Sequence, residues 1–294
     1  MIKPPTIDGY DDAYTQECER ALVNLLHGFG PWKDSVYLVG GLTPRYLVKS
    51  RPPVVPRHAG TTDVDVVIDL QILASTEAYH TLAHNLERMG FVRGENDKGV
   101  TVSWRWKRTS DTGQIIYVEF LADLGEDGRR VQSLPAEERA VSAVNIPFSS
   151  IVADHHAITE LQAELYDGGG VAVERVRHAD IVAFTCLKAI AFDQRAERKD
   201  AHDLIYCLMH YEPQDALHRL FQPALQGKHG EAVAKALEII RRKFASQDDL
   251  EGYRKDGPTA VALFEQGEDP ASREQRIVRQ RECTLIIERL LAGL

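Results

Sequence analysis

Residues 60–69 have the sequence GTTDVDVVID, in which polar and apolar side chains alternate as they do in a β-strand. The apolar face of this predicted strand carries Val64, Val66 and Ile68, and the opposite face carries Asp63, Asp65, Val67 and Asp69. Asp63 and Asp65 would lie about 6–7 Å apart at a rise of roughly 3.3 Å per residue. Because such carboxylates repel each other unless a cation lies between them, the spacing predicts a site for Mg²⁺ or Mn²⁺. A strand edge that faces solvent is the alternative.

A double glycine precedes this segment. Residues 36–45, VYLVGGLTPR, indicate an apolar strand, a turn at Gly40 and Gly41, and the start of a helix. Backbone amides at such a turn can approach a phosphate closely. We therefore expect the two glycines to contact a nucleotide, with an ordinary tight turn as the alternative.

A third acidic residue lies in a later apolar run. Residues 115–120, IIYVEF, predict a strand in which Glu119 lies on the face opposite Ile116, Val118 and Phe120. An acid in such a strand is either an edge residue or a site residue, and in the second case Glu119 is a third metal ligand.

The stretch 44–62 carries basic side chains and no acidic one. Three prolines keep most of it out of helix. A basic, stiffened loop of this kind predicts contact with phosphates of a nucleotide or of RNA, with a solvated loop as the alternative. Its basic residues and histidine are Arg45, Lys49, Arg51, Arg57 and His58.

Lys188 lies on the apolar stripe of a predicted helix. An unpaired ammonium there is costly, so we expect it to reach a carboxylate or a phosphate, or to extend to water. Asp200 and Asp203 follow on the next predicted helix, and a structural ion pair from Lys188 to one of them is an alternative to a catalytic role. Three further cations, Arg195, Arg198 and Lys199, lie between the lysine and these acids.

The composition limits the class of protein. The 294 residues include 35 Lys+Arg and 44 Asp+Glu, a formal net charge of −9, which argues against coating of nucleic acid through bulk positive charge. We expect a cytoplasmic protein without a membrane span or signal peptide. The four cysteines are far apart and include no CxxC pair, so neither a zinc site nor a disulfide framework is indicated.

The periodicity divides the chain into two halves and predicts an α+β, bilobal protein. We expect domains at 1–167 and 168–294, with the boundary at the triple glycine 168–170. The first half is expected to hold helices at 11–27 and 75–89 and strands at 35–39, 63–70, 100–107 and 114–122. The second half is expected to be almost entirely helical, at 178–193, 198–211, 213–225, 230–244 and 271–292.

These segments together resemble the AbiEii/MenT group of nucleotidyltransferase toxins in the polymerase-β-like superfamily. The resemblance covers about residues 35–210. It lies in the Gly-Gly turn followed by Arg45, in Thr61-Thr62 before the DxD of residues 63–65, and in a later Lys…Arg…Lys-Asp-x-x-Asp-Leu pattern. That later pattern is formed by Lys188, Arg195, Lys199, Asp200, Asp203 and Leu204.

The resemblance implies a nucleotidyltransferase-like mixed sheet followed by a helical domain that completes the active site. It implies that Asp63 and Asp65 hold Mg²⁺, that Thr61, Thr62, Arg45 and Asp203 bind the nucleotide, that Lys188 neutralises phosphate charge, and that Asp200 orients Lys188 or the nucleotide. The implied reaction transfers a nucleotide from an NTP to RNA, expected to be the 3′ acceptor end of tRNA, and a cognate antitoxin is the implied protein partner. Weaker RNA contacts are expected from Arg51, Arg57, Arg195, Arg198 and Lys199.

Two other functions are alternatives to this reaction. Asp154-His155-His156, with His58 and the DxD, faintly resembles the DHH phosphoesterases, which are metal-dependent phosphodiesterases. The other alternative is a non-catalytic module that binds a nucleotide or a partner protein.

Overall fold

The computed structural model describes residues 4–68, 76–125, 131–132, 141–213, 217–247 and 250–294. Within these residues the chain is α+β, as predicted, and divides into two compact units. The first unit contains residues 11–43 and 60–180. The second contains Pro44–Ala59 and Ile181–Leu294, together with the segment that ends at Tyr10.

The strands of the described residues all belong to one mixed sheet in the first unit. They are β1 (Val36–Val39), β2 (Asp63–Ile68), β3 (Val92–Glu95), β4 (Thr101–Thr109), β5 (Ile115–Ala122), β6 (Val131–Gln132), β7 (Ala143–Asn145), β8 (His156–Glu164) and β9 (Val171–Ala179). The order in the sheet is β3-β4-β5-β2-β1-β9-β8, and β7 pairs with β5 and with β6.

Helices occur in both units. They are α1 (Asp12–Phe29), α2 (Pro44–Leu47), α3 (Thr76–Arg88), α4 (Ile181–Arg195), α5 (Arg198–His210), α6 (Leu217–Gln226), α7 (Gly230–Phe244), α8 (Asp256–Gln266) and α9 (Arg273–Ala292). Helices α1 and α3 belong to the first unit and the other seven to the second. None of the helices in the described residues is both long enough and apolar enough to cross a membrane.

Strand β2 lies at the centre of the sheet, between β1 and β5. It runs antiparallel to β1 and parallel to β5. The predicted apolar faces are buried: Val64, Val66, Ile68, Ile116, Val118 and Phe120 are each no more than 2% exposed. Helix α1 packs against this sheet, and its first turn is capped by the Asp11 carboxylate, which accepts a hydrogen bond from the backbone N–H of Ala13. Asp69, predicted to extend the polar face of β2, lies outside the described residues.

The hairpin of β8 and β9 was not predicted. It flanks the triple glycine, and β9 adds to the sheet by pairing in parallel with β1. The first unit therefore ends at Asp180, whereas the predicted boundary between the domains lies at residue 167. A period-two pattern is present in β9, where buried Ala172, Glu174, Val176 and His178 alternate with less buried residues as far as Arg177, but two of those buried positions are polar.

The second unit is a helical assembly. Helix α4 packs against α5 and α7, α5 packs against α8, and α8 packs against α9. Four of its helices lie where the periodicity predicted them, and α4 begins after β9, at Ile181. Helix α8 was missed because Gly257 and Pro258 suggest a break, although proline is tolerated in the first turn of a helix.

Candidate functional site

Asp63 and Asp65 occupy alternate positions of β2. The Asp63 side chain is almost fully buried, and its Oδ1 accepts a hydrogen bond of 2.7 Å from the Thr61 hydroxyl. The backbone N–H of Thr61 in turn donates to the hydroxyl of Thr15 on α1. Thr61 thus fixes the orientation of the first carboxylate, and Thr62 is half-buried beside it.

The Gly-Gly turn at the end of β1 contacts the second carboxylate. Gly40 has φ +74°, and a Cβ at this position would overlap Oδ2 of Asp65. Gly41 is buried within the same turn, which closes with a hydrogen bond from the Thr43 N–H to the Gly40 carbonyl at 3.3 Å. The turn and the DxD, although distant along the chain, therefore form one site in the first unit.

Glu119 lies beside these acids but is already paired. It is in register with Asp65 on the neighbouring strand β5. Its Oε1 accepts a hydrogen bond of 2.7 Å from Nε of Arg105 on β4, and Arg105 also donates to the Glu95 carbonyl. Because the guanidinium compensates the charge of Glu119, this carboxylate attracts a cation such as Mg²⁺ less strongly than an uncompensated carboxylate would. Arg105 was missed because cross-strand register is not encoded in a local sequence pattern.

The second unit contains a buried lysine–aspartate cluster, formed by Lys188, Arg195, Lys199, Asp200 and Asp203. The Lys188 ammonium lies 2.9 Å from Oδ1 of Asp200 and 2.6 Å from Oδ2 of Asp203. Arg195 makes a two-pronged contact with Asp200, at 2.6 and 2.9 Å, and Lys199 donates to both oxygens of Asp203, at 2.9 and 2.8 Å. The ion pair expected as an alternative for Lys188 is thus present, and it involves both aspartates.

Every member of the lysine–aspartate cluster with a shifted pKa is held in its charged form. Burial alone lowers the pKa of Lys188, but Asp200 and Asp203 outweigh it and raise that pKa. Burial alone raises the pKa of each aspartate, but the neighbouring cations lower both below the usual range. Three cations face two carboxylates, so the cluster carries one excess positive charge.

His58 adds a neutral donor to this cluster. Its Nε2 lies 2.8 Å from Oδ1 of Asp203, and burial, which outweighs the attraction of Asp203, lowers the pKa of His58 to about 4. Since the Asp203 carboxylate is ionised and only accepts, Nε2 of the neutral imidazole carries the hydrogen. The ring also stacks on His202, with centroids 5.5 Å apart.

His58, His202 and Asp203 also form a group in which one ligand atom from each residue lies within 4.8 Å of the others. A metal ion does not fit this group. Oδ1 of Asp203 already accepts from His58 and Lys199, and Oδ2 accepts from Lys188 and Lys199. These four hydrogen bonds fill the carboxylate lone pairs, and two ammonium groups next to them oppose a further cation.

The remaining predicted RNA contacts are dispersed. Arg51 is exposed and donates to backbone carbonyls, including that of Arg45 at 2.9 Å. Arg57 donates weakly to the Tyr10 carbonyl at 3.4 Å, and Arg198 pairs with Glu268 at 2.6 Å. Arg195 and Lys199 instead join the lysine–aspartate cluster.

The two histidines of the Asp-His-His run have local partners in the first unit. Nδ1 of His155 lies 3.3 Å from Asp180, and Nδ1 of His156 lies 3.1 Å from the Val152 carbonyl. These contacts connect the start of β8 to Val152 and to Asp180, which follows β9.

Sequence reasoning also missed a polar network on α5, α8 and α9. Nδ1 of His202 lies 2.9 Å from Oε1 of Glu265, and Arg279 grips the same carboxylate at 2.6 and 2.9 Å. Burial alone raises the pKa of Glu265, but His202 and Arg279 lower it to about 2. The network depends on α8, a helix that the periodicity did not predict.

No protein-family model matches the chain, and no curated protein matches it either.

Proposed function

We propose that this protein is a metal-dependent nucleotidyltransferase, of the polymerase-β-like kind that the AbiEii/MenT toxins represent. The single observation that carries the proposal is the site formed by Asp63, Asp65 and the Gly40 turn. Two hard carboxylates on one strand face, of which Asp65 packs against a glycine turn, suit a divalent cation that accompanies a nucleoside triphosphate.

Asp63 and Asp65 would hold Mg²⁺ or Mn²⁺. The ion, when bound, supplies positive charge that offsets the phosphates of the nucleotide. The Thr61 hydroxyl keeps Asp63 in place through its 2.7 Å hydrogen bond. Gly40 allows the backbone to approach Asp65 closely, because a side chain at this position would overlap the carboxylate.

The resemblance assigns the neutralisation of phosphate charge to Lys188, which belongs to the lysine–aspartate cluster of the second unit. Asp200 and Asp203 hold the Lys188 ammonium in one position, so its charge needs no reorganisation when a phosphate approaches. The reaction joins a hydroxyl oxygen of the RNA to the α-phosphate of the NTP and releases pyrophosphate. Chemistry of this kind depends on positioning and charge neutralisation more than on covalent participation of the protein.

The acceptor that we propose is the 3′ end of tRNA, and the biological consequence is arrest of translation by a toxin that a cognate antitoxin neutralises in the cytoplasm. The support is the sequence resemblance together with the basic stretch 44–62. A net charge of −9 is compatible with a local contact of this kind, because it disfavours only extended coating of nucleic acid.

The test is transfer of label from each of the four α-labelled NTPs to total tRNA in the presence of Mg²⁺. We expect transfer by the wild-type protein and a loss of at least about 100-fold in Asp63→Asn, because the substitution removes a charged metal ligand. Glu160→Gln, an exposed acid on β8, is the matched control and should retain wild-type transfer. Absence of labelled RNA with all four nucleotides, or equal transfer by Asp63→Asn, would contradict the proposal.

A further inference from the structure

The second unit contains a cavity of about 360 Å³ beside α5. This volume lies within the range of pockets that bind small molecules and cofactors. Its lining includes three rings from α5, those of His202, Tyr206 and His210, and the guanidinium-bearing residue Arg57 from the basic stretch.

The rings form a continuous stripe because they recur at every fourth residue of the helix. The His202 and Tyr206 centroids are 5.9 Å apart, and those of Tyr206 and His210 are 4.9 Å apart. Tyr206 is anchored by a hydrogen bond of 2.9 Å from its hydroxyl to the Pro56 carbonyl. Glu265 in turn holds the His202 ring through Nδ1. The stripe is therefore fixed, and because His202 and Tyr206 are only 2% and 5% exposed, the half-buried His210 is its ring most open to a ligand.

The two arginines at the cavity differ in whether a carboxylate pairs with them. Arg279 is committed to Glu265 and also contacts Glu282 at 3.3 Å. Arg57 is exposed, and in the described part of the chain its one hydrogen bond is the 3.4 Å contact to the Tyr10 carbonyl, with no carboxylate paired to it. An arginine in this state can bind a phosphate, and the half-exposed carboxylate of Glu282 can accept from an amino group.

We propose that this cavity binds a nucleotide, with its base against His210, the half-exposed ring at the end of the α5 stripe, and its phosphate at Arg57. Aromatic side chains that stack bases, next to an arginine that contacts the backbone, are the combination by which proteins hold unpaired nucleotides. A carboxylate acceptor favours bases that carry an amino group. The identity of the ligand class rests on the proposed function, whereas the binding itself requires no catalysis.

Two sources could supply this chemistry, a free NTP or an unpaired nucleotide of the acceptor RNA, and binding measurements separate them. We would titrate a labelled single-stranded RNA hexamer by fluorescence anisotropy and each NTP by calorimetry. Both would be carried out in EDTA, so that divalent cations at Asp63 and Asp65 do not contribute. Ribose 5-phosphate, which lacks a base, serves as the third probe. Preference for RNA or for an NTP identifies the source.

The variants are Arg57→Gln and His210→Ala, which change partly exposed side chains. We expect each to weaken binding about tenfold, and Arg57→Gln to reduce the salt dependence of RNA binding by about one phosphate contact. Arg219→Gln, an exposed arginine on α6 outside the cavity, is the matched control and should bind within about twofold of the wild type. Circular dichroism and thermal unfolding verify that the variants fold.

Equal affinity for ribose 5-phosphate and the nucleotides, or binding that neither Arg57→Gln nor His210→Ala weakens, would overturn the inference. The outcome is separable from the proposed reaction. Binding that depends on Arg57 and His210 in a protein that transfers no nucleotide would support the cavity and contradict the transferase. Transfer that is lost in Asp63→Asn, without nucleotide binding at the cavity, would do the reverse.

Discussion

The carboxylate of Asp65 packs directly against the α-carbon of Gly40, at the point where the chain turns out of β1. Residue 40 combines a positive φ of +74° with the absence of space for a side chain. The glycine is therefore required twice, once by backbone conformation and once by the neighbouring acid.

Gly40→Ala is predicted to destabilise the protein more than the substitution of a glycine with the same φ elsewhere. Gly99 also has φ +74°, but no atom lies within 4 Å of the position of its Cβ. We expect Gly99→Ala to cost about 1–3 kcal/mol of unfolding free energy through its backbone alone. Gly40→Ala should cost about 2 kcal/mol more, because Asp65 must move.

Urea denaturation of the two variants measures this difference. Equal losses in unfolding free energy would contradict the packing of Asp65 on Gly40. Gly40→Ala should also lose nucleotide transfer, because the substitution displaces Asp65, whereas Gly99→Ala should keep nucleotide transfer.

Glu119 is predicted to be the weaker metal ligand. Because Arg105 already compensates its charge at 2.7 Å, Glu119→Gln should lower the affinity for Mn²⁺ less than about tenfold. Asp65→Asn should lower it at least about 100-fold, since it removes a charged oxygen ligand. Electron paramagnetic resonance of Mn²⁺ titrations gives both values, and a larger loss in Glu119→Gln than in Asp65→Asn would show that the pairing with Arg105 does not persist.

Lys188→Met is predicted to be strongly destabilising. It removes the cation that two buried carboxylates share, and breaking a buried ion pair in this way costs about 3–5 kcal/mol. Arg242→Gln removes a partly exposed pair with Asp193 and should cost no more than about 1 kcal/mol. Chemical denaturation compares the two, and similar costs would mean that the lysine–aspartate cluster is not a closed network.

His58 is predicted to make stability depend on pH between about 6.5 and 4. Burial lowers the pKa of His58 to about 4 in the folded protein, so the unfolded chain binds a proton in this range that the folded chain does not. The free energy of unfolding therefore falls as the pH decreases through this window, by up to about 3 kcal/mol from this residue. The contribution is fully present above about pH 6.5.

His58→Gln keeps a hydrogen-bond donor for Asp203 but does not titrate. Its unfolding free energy should fall less steeply than that of the wild type between about pH 6.5 and 4, in denaturation series at constant ionic strength. Identical slopes for the two proteins would refute the assignment of His58 as a buried neutral imidazole.

A structural feature of this protein can be predicted from the sequence when it depends on residues that are close together in the chain. The alternation around Asp63 and Asp65 correctly places Val64, Val66 and Ile68 in the core, but it does not reveal that Asp63 and Val67 on the opposite face are buried as well. The apolar stripe around Lys188 correctly indicates a buried ammonium in need of a partner. The contact between Gly40 and Asp65 is a consequence of pairing between β1 and β2. The sequence shows the glycine turn and the DxD as separate motifs but not the contact between them.

The parts that were missed depend on contacts between distant segments. Arg105 compensates Glu119 through a cross-strand register, and Glu265 reaches His202 from a helix whose Gly-Pro start suggests a turn. In β9, the apolar face tolerates buried Glu174 because Lys33 compensates its charge, and Nδ1 of His27 lies 3.0 Å from the same carboxylate. In each case a partner far away in the sequence makes a locally unfavourable residue acceptable.

The position of the label in the products tests the central claim most directly. Wild-type protein, Mg²⁺ and total tRNA would be incubated in parallel with NTPs labelled at the α- or the γ-phosphate. A nucleotidyltransferase places the α label on RNA and releases the γ label as pyrophosphate, and Asp63→Asn should do neither. Transfer of the γ label to RNA, or an RNA pool that stays unlabelled with all four α-labelled nucleotides, would contradict the claim that this protein is a nucleotidyltransferase.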